Sequence, residues 1–246
     1  MAFCTMNFWG QSLLRQCSMN LVIPEGLKRG QKIAVLYQLH GLSDDHTIWS
    51  RRTSIERYVS GLPLMVVMPD GGRGFYCDAV EGPAGEKHIM NDVIGFVERC
   101  FPVRRDKWGR AVGGLSMGGY GAMKLALKFP DVFASVVSHS SAFDFAHNVK
   151  RLDSPEFRRV TGDEVPGGKD DVYAIAEKLE AKKAPAIRFD CGTSDGLLQG
   201  SRDFHRHLAR LKIRHEYREF PGEHNWDYWD VRVQEAIKFH MKRLKV

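Results

Sequence analysis

The run Gly113-Gly114-Leu115-Ser116-Met117-Gly118-Gly119-Tyr120-Gly121 constrains this chain more than any other segment. An apolar stretch at about 110–115 precedes it and a helical pattern at about 118–129 follows it, so a strand passes into a helix through a tight turn. Glycine at 114 and 118 lets the two elements nearly touch. The turn holds Ser116 in a strained backbone geometry and presents its hydroxyl, and the positive end of the following helix suits a developing oxyanion there. A glycine-rich turn with an incidental serine gives the same pentapeptide, but would rarely fall at a strand-to-helix junction.

The rest of the chain supplies the sheet for such a turn. Apolar or alternating runs at about 3–9, 17–23, 33–39, 64–68, 133–138, 186–190 and 215–220 read as further strands. Helical patterns fall at about 47–60, 88–100, 171–181, 200–211 and 229–244. Opening strands followed by strict alternation predict an α/β fold, a mostly parallel sheet with helices on both faces, and the Gly-x-Ser-x-Gly turn between strand and helix points to the α/β-hydrolase class. Leu64-Met65-Val66-Val67-Met68 and Ala134-Ser135-Val136-Val137 fit strands covered on both sides. No repeat or linker divides the chain, so 1–246 reads as one domain, with a polar insertion at about 140–170 near the site-bearing edge of the sheet.

Composition removes several classes of function. With 43% hydrophobic residues in 246, the chain can bury a large core. No apolar run reaches the length of a membrane span, and the start reads as a strand rather than a secretion signal. The charge of +6 is carried by pairs such as Arg51-Arg52 and Arg104-Arg105, scattered among acids, which argues against nucleic acid as a partner. Five scattered cysteines, with no Cys-x-x-Cys, fit free thiols in a reducing, cytoplasmic compartment. No close cluster of ligands suggests a metal, and His205 and His207, two apart on a helix, diverge.

Chemistry at a turn of this kind needs an acid and then a base, each on a loop after a later strand. Cys191-Gly192-Thr193-Ser194-Asp195-Gly196 and Pro221-Gly222-Glu223-His224-Asn225-Trp226 occupy those places. Ser116 is thus the candidate nucleophile, His224 the base and Asp195 the group that orients it. Asp190 is a competitor for the acid and His139 for the base, each at a strand end. The loop His40-Gly41-Leu42-Ser43-Asp44-Asp45 can supply an oxyanion amide from Leu42, with Met117 supplying another. A plain turn capped by Asp44 or Asp45 is compatible with that reading. Phe75, Tyr76 and Trp226, with Trp229 beside the base, are candidates for the wall of an acyl or alcohol pocket, with core packing the alternative for each ring.

Taken together, Leu39-His40-Gly41-Leu42 with Trp49, Val67-Met68-Pro69-Asp70, Gly74-Phe75-Tyr76, the Ser116 run, Gly192-Thr193-Ser194-Asp195 and Gly222-Glu223-His224-Asn225-Trp226 resemble the esterase D superfamily, nearest its tributyrin-esterase branch. The resemblance spans nearly the whole chain in the right order. It implies hydrolysis of short-chain acyl esters by a cytoplasmic serine carboxylesterase that needs no cofactor and is often a homo-oligomer. It also implies relatives acting on S-formylglutathione, feruloyl esters and acetylated sugars, and on acyl transfer to an alcohol acceptor. Leu115 and Tyr120 stand where the S-formylglutathione hydrolases carry histidines, and Ser43-Asp44-Asp45 departs from their oxyanion loop, so that branch is the poorer fit and stays as the alternative reading, beside feruloyl or acetyl-sugar esterase.

Overall fold

In the computed structural model, which describes residues 1–148, 153–162 and 166–245, the strands form one eight-stranded sheet in the order β1-β2-β4-β3-β5-β6-β7-β8. The strands are β1 (Ala2–Gly10), β2 (Arg15–Ile23), β3 (Ala34–Leu39), β4 (Leu64–Pro69), β5 (Arg110–Leu115), β6 (Ser135–His139), β7 (Ala186–Gly192) and β8 (His215–Phe220). β1 and β2 form an antiparallel hairpin, β2 runs antiparallel to β4, and every later pairing is parallel. β3, β4 and β6 are buried along their whole length, as central strands covered on both faces must be.

Two apolar layers flank the sheet. One contains Val35, Tyr37, Val112, Met123 and Phe204; the other contains Leu36, Val66, Ala111, Trp229 and Ile237. Alternate residues of one strand enter opposite layers because successive side chains point to opposite faces. The expected helix at 47–60 is two short ones, α1 (Ile48–Arg52) and α2 (Ile55–Tyr58). Thr53 breaks it: its Oγ1 donates to the Trp49 carbonyl at 2.5 Å and accepts the Ile55 amide at 3.2 Å, so the side chain competes with the backbone ladder. The expected helix at 88–100 starts earlier, with α3 (Gly85–Lys87), a π-helical stretch over His88–Val93 and α4 (Ile94–Cys100).

The remaining helices are α5 (Ser116–Lys128), α6 (Pro155–Thr161), α7 (Val172–Lys178), α8 (Leu198–Arg210) and α9 (Trp226–Met241). α6 lies within the insertion expected at 140–170, whose residues 149–152 and 163–165 lie outside the described residues. Among the described residues, no helix is long and apolar enough to cross a membrane.

Candidate active site

Ser116 stands at the first residue of α5 with φ +52°, the left-handed region that side chains other than glycine rarely occupy. Packing forces that geometry. A Cβ on Gly114 would sit 2.5 Å from the Gly118 backbone, and one on Gly118 would sit 2.5 Å from the His40 carbonyl. Only glycine allows β3, β5 and α5 to meet this closely. The strain is held by the sheet below and by α5, eleven of whose thirteen residues are buried.

His224 and Asp195 come to Ser116 on loops that follow β8 and β7. The Asp195 side chain is fully buried; it accepts the Leu197 amide at 2.8 Å and faces His224 Nδ1 at 2.9 Å. Burial alone would raise its carboxyl, but the hydrogen bonds from His224 and the Leu197 amide outweigh it and hold the group below the usual carboxylate range. With Nδ1–H donating to Asp195, His224 Nε2 is left to accept a proton, and it lies 3.0 Å from Ser116 Oγ. The imidazole packs edge-on to Trp229, centroids 4.9 Å apart, which fixes its ring plane.

Behind Ser116, Met117 is buried in the first turn of α5, where helix amides have no acceptor inside the helix. On the other side is the His40 loop. A Cβ on Gly41 would lie 3.8 Å from Ser116 Cβ and 2.9 Å from Leu115 Cδ1, so the loop approaches the serine only because residue 41 is glycine. The imidazole of His40 is 1% exposed and bridges two loops. Its Nδ1–H donates to the Gly41 carbonyl at 2.7 Å and its Nε2 accepts the Gly71 amide at 2.9 Å. The Leu42 amide has no acceptor among the described residues.

The serine opens into a cleft of about 710 Å³ lined by Leu42, Asp44, Ile48, Arg52, Arg73, His224, Trp226, Asp227 and Trp229 among others. Trp226 therefore stands in the cleft wall, edge-on to both Trp49 (5.1 Å) and Trp229 (5.3 Å). Asp44 is half-buried there, and its burial raises its carboxyl above the ordinary range.

Phe75 and Tyr76 correct the sequence reading, for neither lines this cleft. Both have positive φ (+53° and +55°), which turns the loop inward and leaves them 1% and 0% exposed. Phe75 stacks on Phe145 with centroids 3.8 Å apart, and Tyr76 fits against Gly71 and Gly121 while its hydroxyl donates to the His40 carbonyl at 3.0 Å. Tyr76 thereby holds the His40 loop, while Phe75 packs into the core with Tyr120, Phe145 and Phe157. The competitors Asp190 and His139 bond each other and are both 1% exposed. Conversely, Arg73 and Asp227 border the cleft although the sequence offers neither as a site residue, and Arg52, in sequence only one of the scattered basic pairs, borders it as well. Arg73 lies in Gly71-Gly72-Arg73-Gly74 just after β4, on the same sheet edge as the serine, which was the available signal.

The Esterase family model, described as "Putative esterase", matches residues 10–240. An acetyl esterase of Caldicellulosiruptor saccharolyticus is 29% identical over 98% of this chain and 99% of its own. FphF, a fluorophosphonate-binding serine hydrolase of Staphylococcus aureus, superposes with a TM-score of 0.90 at 30% identity, covering 97% of this chain and 98% of that one. The S-formylglutathione hydrolase FrmB of the same organism gives a TM-score of 0.88 at 29% identity, with 97% and 98% covered.

Proposed function

The chain belongs to the esterase family and acts on carboxylic ester bonds, and we propose that it is a serine carboxylesterase for short acyl chains with Ser116 as nucleophile, His224 as general base and Asp195 as the orienting acid. One observation carries this reading: His224 Nε2 is 3.0 Å from Ser116 Oγ while Nδ1 is 2.9 Å from the buried Asp195 carboxylate. A serine hydroxyl is a poor nucleophile until a neighbouring base takes its proton.

In the first half-reaction, His224 Nε2 removes the proton as Ser116 Oγ bonds to the ester carbonyl carbon. The carbonyl oxygen becomes an oxyanion, which the Leu42 and Met117 amides stabilise. The carbon–oxygen bond to the alcohol then breaks, and the alcohol departs with the proton from His224. In the second half, His224 deprotonates a water that attacks the acyl-enzyme; the acid is released and Ser116 recovers its proton. Asp195 stays ionised throughout and stabilises the imidazolium.

The size limit on the acyl group rests on the cleft wall. Trp226, braced by Trp49 and Trp229, supports a shallow acyl side, where each methylene that finds no room forfeits about 0.8 kcal/mol of burial. The five free thiols support a reducing, cytoplasmic setting.

A panel of p-nitrophenyl esters of increasing chain length, with feruloyl esters and S-formylglutathione alongside, tests the reading. We expect kcat/KM to peak between acetyl and butyryl and to fall beyond about eight carbons. A preference for lauroyl or longer esters would contradict it. FrmB is the reason for including the thioester.

A further inference from the structure

Arg73, on the rim of the cleft, is tied both to the Leu42 loop and to α6. Its Nη1 donates to the Leu42 carbonyl at 3.1 Å, while Nε and Nη2 form a fork to the Glu156 carboxylate at 2.5 and 3.0 Å. Glu156 stands in the first turn of α6, which is itself fastened to the loop carrying Arg73. Phe157 packs edge-on to Phe75 with centroids 5.3 Å apart, and the Val80 amide donates to the Val160 carbonyl at 3.0 Å. A chain of contacts thus runs from α6 through Arg73 to Leu42.

Leu42 has two polar backbone groups with different fates. Its carbonyl is held by Arg73, whereas its amide has no acceptor among the described residues. The loop around it is otherwise fixed from the Gly41 side, through His40. Without Arg73 nothing among the described residues holds the Leu42 carbonyl: the Gly41–Leu42 peptide keeps the bonds of the Gly41 carbonyl to His40 and Asp44, but the loop loses its anchor on the far side of Leu42 and gains freedom to shift away from the serine.

We infer that Arg73 is a positioning residue for the oxyanion site: gripped by Glu156, it pins the Leu42 carbonyl and so keeps the Leu42 amide aimed at the substrate oxyanion. The inference rests on the serine-esterase reading above. It assigns α6 a part in catalysis although α6 supplies no reacting group. A planar, bidentate grip on a carboxylate with a third N–H left over is a task for arginine; lysine offers a point charge and cannot make both contacts in one plane.

The test compares wild type with Arg73→Ala, Arg73→Lys, Glu156→Gln and Ser116→Ala, using p-nitrophenyl acetate and a trifluoromethyl ketone whose hemiketal oxyanion occupies the same amides. Loss of one oxyanion donor costs about a hundredfold or more in kcat, and a misaimed donor costs part of that. Arg73→Ala should lower kcat about tenfold, leave KM within about twofold, and weaken the ketone by a similar factor as kcat. Arg73→Lys should recover part of the loss, and Glu156→Gln should lose less than Arg73→Ala. Wild-type kcat and ketone affinity in Arg73→Ala would overturn the inference, as would a loss confined to KM, which would mean direct substrate contact. If Arg73→Ala melts far below wild type, the same comparison is decided by Arg73→Lys and Glu156→Gln. An active Ser116→Ala would instead remove the serine-esterase reading itself, whatever Arg73 does.

Discussion

His139 and Asp190 form a second histidine–carboxylate pair in this fold, Nδ1 to Oδ2 at 2.9 Å, with both residues 1% exposed. It offers the same two groups as His224 and Asp195, but its Nε2 has no partner among the described residues and does not meet Ser116. Instead the pair joins the ends of β6 and β7 to α9, because the Tyr228 hydroxyl donates to Asp190 Oδ1 at 2.8 Å.

This arrangement separates the roles of two aspartates. Breaking a buried pair strands its partner without solvent, at a cost on the order of 3 kcal/mol. Asp190→Asn should therefore lower the denaturation midpoint markedly while kcat of the folded protein stays within about threefold. Asp195→Asn should keep the midpoint closer to wild type but reduce kcat by roughly four orders of magnitude, since the histidine tautomer is no longer set. Urea melts and steady-state rates on both variants check this. The opposite pattern would move the acid's role to Asp190.

Acid stability follows from His240. It is fully buried, with Nδ1 2.8 Å from Ser135 Oγ; burial first, and the neighbouring His139 second, push its imidazole down to about 3. The folded protein keeps it neutral while the unfolded chain takes up a proton below about pH 6.5. Between those values the unfolded state holds the extra proton, so stability falls as pH falls. Burial lowers His88 and His215 as well, so they act in the same direction. Replacing His240 with Gln should reduce the slope of stability against pH between 6 and 4 by up to one proton, ~1.4 kcal/mol per pH unit. Urea melts across that range measure it, and an unchanged slope would show that His240 is not held neutral.

Trp226 and Phe75, both aromatic candidates from sequence, should now behave differently. Trp226 lines the cleft, so Trp226→Ala should raise the octanoyl-to-acetyl ratio of kcat/KM about tenfold. Phe75 is buried against Phe145, so Phe75→Ala should cost about 3–5 kcal/mol of stability with that ratio unchanged. A wider acyl range from Phe75→Ala, or none from Trp226→Ala, would reverse the assignment.

The contrast between those rings shows what sequence reading reaches. The Ser116 turn was readable because glycine spacing, strand and helix all state the same local geometry, and the places of Asp195 and His224 follow from strand order. Phe75 and Tyr76 were misplaced because nothing in Gly74-Phe75-Tyr76 signals two successive positive φ values that turn the rings inward. Thr53 interrupting a helical pattern depends on which carbonyl its hydroxyl meets. The Arg73–Glu156 fork joins residues 83 apart through α6, a helix not anticipated from the sequence, so no local pattern announces it.

The central claim is that Ser116 becomes acylated, and one measurement addresses it directly. Wild-type protein, Ser116→Ala and His224→Ala are treated with a fluorophosphonate, and the adduct is located by peptide mass spectrometry. The account predicts one stoichiometric adduct on Ser116 in wild type, none in Ser116→Ala, and labelling slowed by orders of magnitude in His224→Ala. An adduct on another residue, or wild-type labelling without His224, would contradict it.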